Sequence, residues 1–217
     1  IVSTFECFRR QVQAGLNMAI AGIPWWTTDI GGFHGARTDD PDFHRLYIRW
    51  FEYGCFCPVM RLHGNRNPQE GYGAEQIGSG SDNEIWSFGD KAYEISKKYI
   101  FLRERLRDYI RTQMKKAHED GTPMMRPVFY DFPTDQESWN VEDAYLFGPD
   151  LYVAPVMEDH VTEREVYLPD GTAWFNAWTG EKYEGGQNVT VAAPLDTIPV
   201  FVKEGADAEK LLNIFSE

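Results

Sequence analysis

Two side chains able to hold and orient a polar ligand, Asp29 and His63, each lie at the end of a short β-prone run that stops at glycine. Residues 25–30 (WWTTDI) are aromatic and β-branched and end at Gly31-Gly32, where a backbone without side chains can bend sharply. Residues 56–62 (FCPVMRL) are mostly apolar and lie between Gly54 and Gly64, as expected of a strand buried on both faces of a parallel sheet. His63 stands at the C-terminal end of that run. A carboxylate accepts hydrogen bonds, an imidazole donates or accepts them, and Phe33, just past the first turn, offers an apolar ring face. A lone Asp or His at a strand end is as readily a satisfied structural group. His34, His44, His118 and His160 have no partner at metal-ligand spacing, and Cys7, Cys55 and Cys57 form no C-x-x-C pair. No metal, cofactor or disulfide framework is expected.

The elements that must position these residues follow from periodicity. Phe8, Val12, Leu16 and Ile20 recur at helical steps until Gly22-Ile23-Pro24 stops the helix. Asp40 caps and Pro41 starts a second helix with Phe43, Leu46, Tyr47, Trp50 and Phe51 on its apolar face. Residues 65–90 read as a long polar loop, and one long helix follows, striped by Ala92, Ile95, Tyr99, Leu102, Leu106, Tyr109 and Met114 and ended by Gly121. Alternating helix and strand with short connections predicts right-handed βαβ units on a parallel sheet. Beyond Gly121 the pattern becomes all strand: residues 124–132, 151–156, 164–168, 174–178, 188–191 and 200–203, separated by Pro-Asp-Gly, Thr-Gly and Gly-Gly turns. The fold class is therefore α/β over residues 1–120, then a small antiparallel β-sandwich over residues 121–217. Trp25, Trp50 and Trp139 are expected in the core, with Trp174 and Trp178 holding the sandwich together.

A chain of 217 residues that is 42% hydrophobic and 25% charged can bury a sizeable core. Its net charge of −13 argues against nucleic acid and against an anionic membrane surface, since both need clustered Lys and Arg. No apolar run approaches the roughly 18 residues that cross a bilayer. The odd cysteine count fits a reducing, cytoplasmic setting. Position 1 carries neither an initiator Met nor a signal-peptide pattern, so a processed or excised piece of something longer is expected.

Three strings carry a family resemblance: residues 22–33 (GIPWWTTDIGGF), residues 61–64 (RLHG), and residues 121–127 (GTPMMRP) followed by 151–156 (LYVAPV). With Ala193-Pro194-Leu195 and residues 198–202 (IPVFV), they stand in the order and spacing of glycoside hydrolase family 31, which the chain resembles over essentially its whole length. The resemblance implies the C-terminal portion of a (β/α)8 TIM barrel, ending with its seventh and eighth strands, and then the β-sandwich domain. It also implies a retaining α-glycosidase of the α-glucosidase or α-xylosidase kind.

Retaining hydrolysis uses two carboxyl groups about 5 to 5.5 Å apart. In the family both are aspartates on earlier strands, so the resemblance places the acid/base at or just ahead of Ile1 and the nucleophile further upstream. No catalytic residue is expected here. What the resemblance assigns to this chain is pocket wall: His63 donating to a sugar hydroxyl, Phe33 packing on a ring face, Asp29 organising polar neighbours, and Trp26 and Trp86 as wall or outer-subsite candidates. The expected partners are an oligosaccharide or glycoside and the N-terminal remainder of the same enzyme. The alternatives are a non-catalytic carbohydrate-binding or structural piece, and a module whose cut barrel edge pairs with a separate chain.

Overall fold

A computed structural model describes residues 1–67 and 81–216; part of the predicted 65–90 loop lies outside the described residues. Helix α1 (Phe5–Ile20) is capped by Thr4, whose hydroxyl accepts from Cys7 N at 3.1 Å, and buries Phe8, Val12, Leu16 and Ala19. Ile20, read as part of that face, is exposed. Helix α2 (Pro41–Cys55) starts at the Asp40 cap and is buried on all sides from Leu46 onward. Its last carbonyl at Cys55, and those of Cys57 and Pro58 beyond it, take hydrogen bonds from Arg103 at 2.6–2.9 Å.

The expected single long helix is two, α3 (Gly89–Arg105) and α4 (Arg107–Glu119). Leu106 bends the chain with ψ near −2°, yet its N–H still reaches Leu102 O and its carbonyl still accepts from Ile110 N. The apolar stripe survives the bend, because Leu102, Leu106 and Ile110 remain buried against the same core.

Residues 25–30 and 56–62 are extended but form no regular ladder. They run side by side in the parallel sense through Val59 N to Trp26 O at 3.1 Å and Ile30 N to Arg61 O at 3.3 Å. Pro24 and Pro58 lack the N–H that a ladder would use, and the regular pairing comes only after the glycine turns. There β1 (His34–Arg37) pairs in parallel with β2 (Asn65–Asn67). Ile1 to Ser3 lie along the other side of Phe33 and His34, with Phe33 N and His34 N both donating to Ile1 O at 2.9 Å. Three parallel segments in chain order, each followed by a helix, are the observed α/β unit.

All strand pairs after Gly121 are antiparallel. A six-stranded sheet orders β3 (Met125–Arg126), β4 (Tyr145–Phe147), β5 (Leu151–Val153), β10 (Val200–Lys203), β7 (Ala173–Asn176) and β8 (Lys182–Glu184). A separate pair joins β6 (Glu163–Leu168) to β9 (Gln187–Ala192). One sheet face meets that pair through Leu146, Tyr152, Trp174 and Phe201 against Val166, Leu168, Val189 and Val191. The opposite face, with Met125, Phe147, Val153 and Val202, is continuous with the helical core of Phe8, Trp50, Phe56 and Tyr99.

Several expectations are corrected here. Residues 124–132 are not one strand, because after Pro127 the chain makes a helical turn, α5 (Val128–Asp131), held by the ion pair of Arg126 with Asp131 at 2.7 Å. A C-terminal helix, α6 (Ala208–Ser216), interrupts the all-strand pattern and seats Phe215 on Phe56 and Trp178. Trp50 and Trp174 are fully buried, whereas Trp25 and Trp139 are exposed.

The two halves are clamped by a buried pair on α2. Arg49 donates to the carbonyls of Val161, Ala193, Pro194 and Thr197 at 2.7–3.2 Å and to Glu52 Oε2 at 3.2 Å. Tyr99 adds Ile198 N and Asp196 O at 3.0 and 3.2 Å. Burial pushes the Glu52 carboxyl up to about 8, against the opposing pull of Arg49. A carboxyl whose folded-state pKa is raised contributes stability below its unfolded pKa and loses it as pH rises through the folded value. Stability should therefore fall between about pH 5 and pH 8 from this group, and Glu52→Gln should flatten that slope in urea denaturation across the range. An unchanged slope would show that Glu52 is ionised throughout.

Candidate sugar-binding site

Asp29 is 5% exposed, and its carboxylate Oδ1 is bound by Arg61 Nη2 from the neighbouring extended segment. The turn that follows closes with Gly32 N donating to Asp29 O at 2.8 Å, and Gly31 and Gly32 both take positive φ, at 82° and 81°. A side chain at either position would be strained by that φ. A Cβ on Gly32 would sit 2.9 Å from Ser3 backbone atoms, and one on Gly31 would press on Arg66 and Phe43.

Behind the turn lies Arg66, 1% exposed. Its guanidinium donates to Ile30 O at 3.0 Å, Gly32 O at 2.9 Å, Ser3 Oγ at 3.3 Å and Asn83 Oδ1 at 2.9 Å, and it rests 4.7 Å from the centre of the Phe43 ring. Burial pulls its pKa down to about 10, still well above neutrality, while the nearby charge of Asp29 works the other way. This one side chain ties the N-terminal segment, the Asp29 turn, β2 and the approach to α3 into a single frame.

Phe33 and His63 meet in front of that frame, their ring centres 5.4 Å apart and tilted by 48°. Phe33 also contacts the edge of the His34 ring at 4.4 Å. His63 is exposed and Phe33 partly so, which leaves a donor and a ring face available to a ligand. Arg61 and His63 are two apart on the same extended segment, so the Asp29–Arg61 pair and the Phe33–His63 contact both join that segment to residues 29–33.

Trp26 is engaged with helices α1 and α2. Its indole packs on Gly15 of α1, where a Cβ would come within 2.6 Å of Nε1, and Nε1 donates to Tyr53 Oη at 3.2 Å. Trp86 is 67% exposed on the turn before α3, and no ring contact joins it to Phe33 or His63 among the described residues. Periodicity missed both arginines. Arg61 carried a signal, its position two before His63, whereas nothing local marks Arg66.

The α/β half ending in this cluster matches the family model for the TIM-barrel domain of glycosyl hydrolases family 31 over residues 1–113, and residues 121–206 match the glycosyl hydrolase family 31 C-terminal domain. The chain belongs to glycosyl hydrolase family 31. It is 38% identical over 206 residues to the alpha-xylosidase of Saccharolobus solfataricus, covering 95% of this chain and 26% of that protein. With alpha-glucosidase 2 of Bacillus thermoamyloliquefaciens the identity is 34%, over 94% of this chain and 24% of that protein. The crystal structure of a family 31 alpha-xylosidase from a soil metagenome, complexed with xylose, superposes with a TM-score of 0.90 at 52% identity, over 98% of this chain and 32% of that one. The chain thus spans about a quarter to a third of the length of these relatives.

Proposed function

We propose that residues 1–120 form the closing quarter of a (β/α)8 barrel, and residues 121–217 the adjoining β-sandwich, of a retaining α-glycosidase acting on α-linked xylosides or glucosides. The observation that carries this reading is the Phe33–His63 ring contact at 5.4 Å, in a chain that matches both family domains in order. In the proposal His63 donates to a sugar hydroxyl, Phe33 lies against a ring face, Asp29 fixes Arg61, and Trp86 is an outer-subsite wall. Trp26 is given a packing role only. The nucleophile and the acid/base come from sequence outside residues 1–217, supported by the alignment of this chain to only a part of each relative. The three unpaired thiols support a reducing, cytoplasmic setting.

The test compares the 217-residue chain with the complete enzyme on aryl α-xylosides and α-glucosides. The chain alone should give no turnover, because a displacement without nucleophile and acid has no low-barrier route. In the complete enzyme His63→Ala should lower kcat/KM by about 10-fold or more, since a site built around a hydroxyl contact loses at least about 1 kcal/mol with its donor. Turnover by the isolated chain that is abolished by replacing Asp29 would overturn the assignment.

A further inference from the structure

Trp139 stands 55% exposed, yet its indole is held in one orientation. One face stacks on Phe129, ring centres 4.4 Å apart and planes 7° from parallel, and Nε1 donates to Pro133 O at 3.1 Å. The other face is left preorganised, with little rotamer freedom to lose when something lies on it. The 3-10 turn that carries it, Gln136–Trp139, is itself tied down. Asp135 caps it by accepting from Glu137 N at 3.1 Å and holds the Tyr167 hydroxyl through both carboxylate oxygens at 3.0 and 2.9 Å.

Side chains three apart in such a turn eclipse one another. Glu137 and Asn140 accordingly share a face, where Asn140 Nδ2 donates to Glu137 Oε2 at 3.3 Å. Glu137 and Asn140, though not Trp139 itself, line a depression of about 480 Å³ whose other wall includes Tyr167 and Asn188, opposite one another on the β6–β9 pair, and Gln187 at the strand end.

We propose that this corner is a second carbohydrate-contact site, separate from the Asp29, Phe33 and His63 cluster, that takes a neutral α-linked oligosaccharide. One ring stacks on Trp139 and the next is hydrogen-bonded by Asn140, Gln187 and Asn188; the choice of an α-linked ligand rests on the glycosidase reading above. An apolar plane beside a strip of amides and carboxylates matches a sugar, which has a C–H face and a rim of hydroxyls. Glu137, Asp143 and Glu165 around the depression disfavour phosphorylated or otherwise anionic ligands. A single indole face is far smaller than the roughly 800 Å² per partner of a stable protein interface.

Calorimetric titration of the 217-residue chain with isomaltotriose and with maltotriose tests this. Trp139→Ala should weaken binding by at least about 10-fold, as loss of a stacked aromatic anchor does. The double variant Gln187→Ala, Asn188→Ala, on exposed strand positions, should also weaken it. Trp139→Phe keeps a ring plane and should stay close to the parent, which separates stacking from misfolding. Unchanged binding in Trp139→Ala, or no binding by the parent chain at about 10 mM sugar, would overturn the proposal. Binding is read here without turnover, so its outcome is independent of whether the complete enzyme hydrolyses α-glycosides.

Discussion

Replacing Arg49 with alanine should lower the unfolding free energy by about 3–5 kcal/mol, the largest single-residue loss expected in this chain. The guanidinium is 3% exposed and satisfies four carbonyls, those of Val161, Ala193, Pro194 and Thr197, besides Glu52. Those carbonyls belong to loops of the second half, so their loss acts on the junction between the halves as well as on α2. Each buried acceptor left without a partner costs about 1–3 kcal/mol, and partial relief comes only where water can enter the cavity. Arg49→Lys should recover less than half of the loss, because a point ammonium cannot serve acceptors spread across a planar fork. Urea denaturation monitored by tryptophan fluorescence gives the answer. A loss below about 1 kcal/mol in Arg49→Ala would mean that the loops dock through their apolar contacts alone.

Arg66→Ala should cost about 3 kcal/mol in stability and, in the complete enzyme, reduce kcat/KM on the order of 100-fold. The stability loss follows from stranding Ile30 O, Gly32 O and Asn83 Oδ1 in a place that the remaining protein covers. The activity loss has a different origin. Arg66 touches the backbone of the turn between Asp29 and Phe33, so its removal frees the turn that aims both side chains, and displacements near 1 Å at a binding site carry penalties of this size. Arg66 is a positioning residue, and a merely structural role would predict a lower melting temperature with kcat/KM intact below it. Measuring both on Arg66→Ala and Arg66→Lys separates these outcomes. Normal kcat/KM in Arg66→Ala at a temperature where it remains folded would remove the positioning role.

The helices were legible because their signals are local. The Phe8, Val12, Leu16 spacing marks α1, and Asp40-Pro41 marks α2, using only residues within a few turns of each other. The extended runs 25–30 and 56–62 were legible as extended, but whether they form a ladder depends on what the partner backbone offers. Pro24 and Pro58 weaken that offer from opposite segments. Helix α6 was missed although Leu211 and Phe215 stand at helical spacing, because a single turn pair at a chain end competes poorly with the strand pattern before it.

Asp29, Phe33 and His63 could be singled out because chain ends of β-like runs are visible in one dimension. Arg61 and Arg66 could not, since a guanidinium takes its role from the acceptors around it, and those of Arg66 lie on segments far apart along the chain. The same limit explains the tryptophans: an indole's hydrophobicity is common to Trp50, which is fully buried, and Trp139, which is not. By itself the sequence determined the order of the elements, the switch from α/β to antiparallel strands near Gly121, and the strand-end candidates. Only the tertiary structure decided which carbonyls Arg49 and Arg66 hold, that one core runs through both halves, and which aromatic faces meet solvent, because each depends on contacts between residues that local periodicity cannot relate.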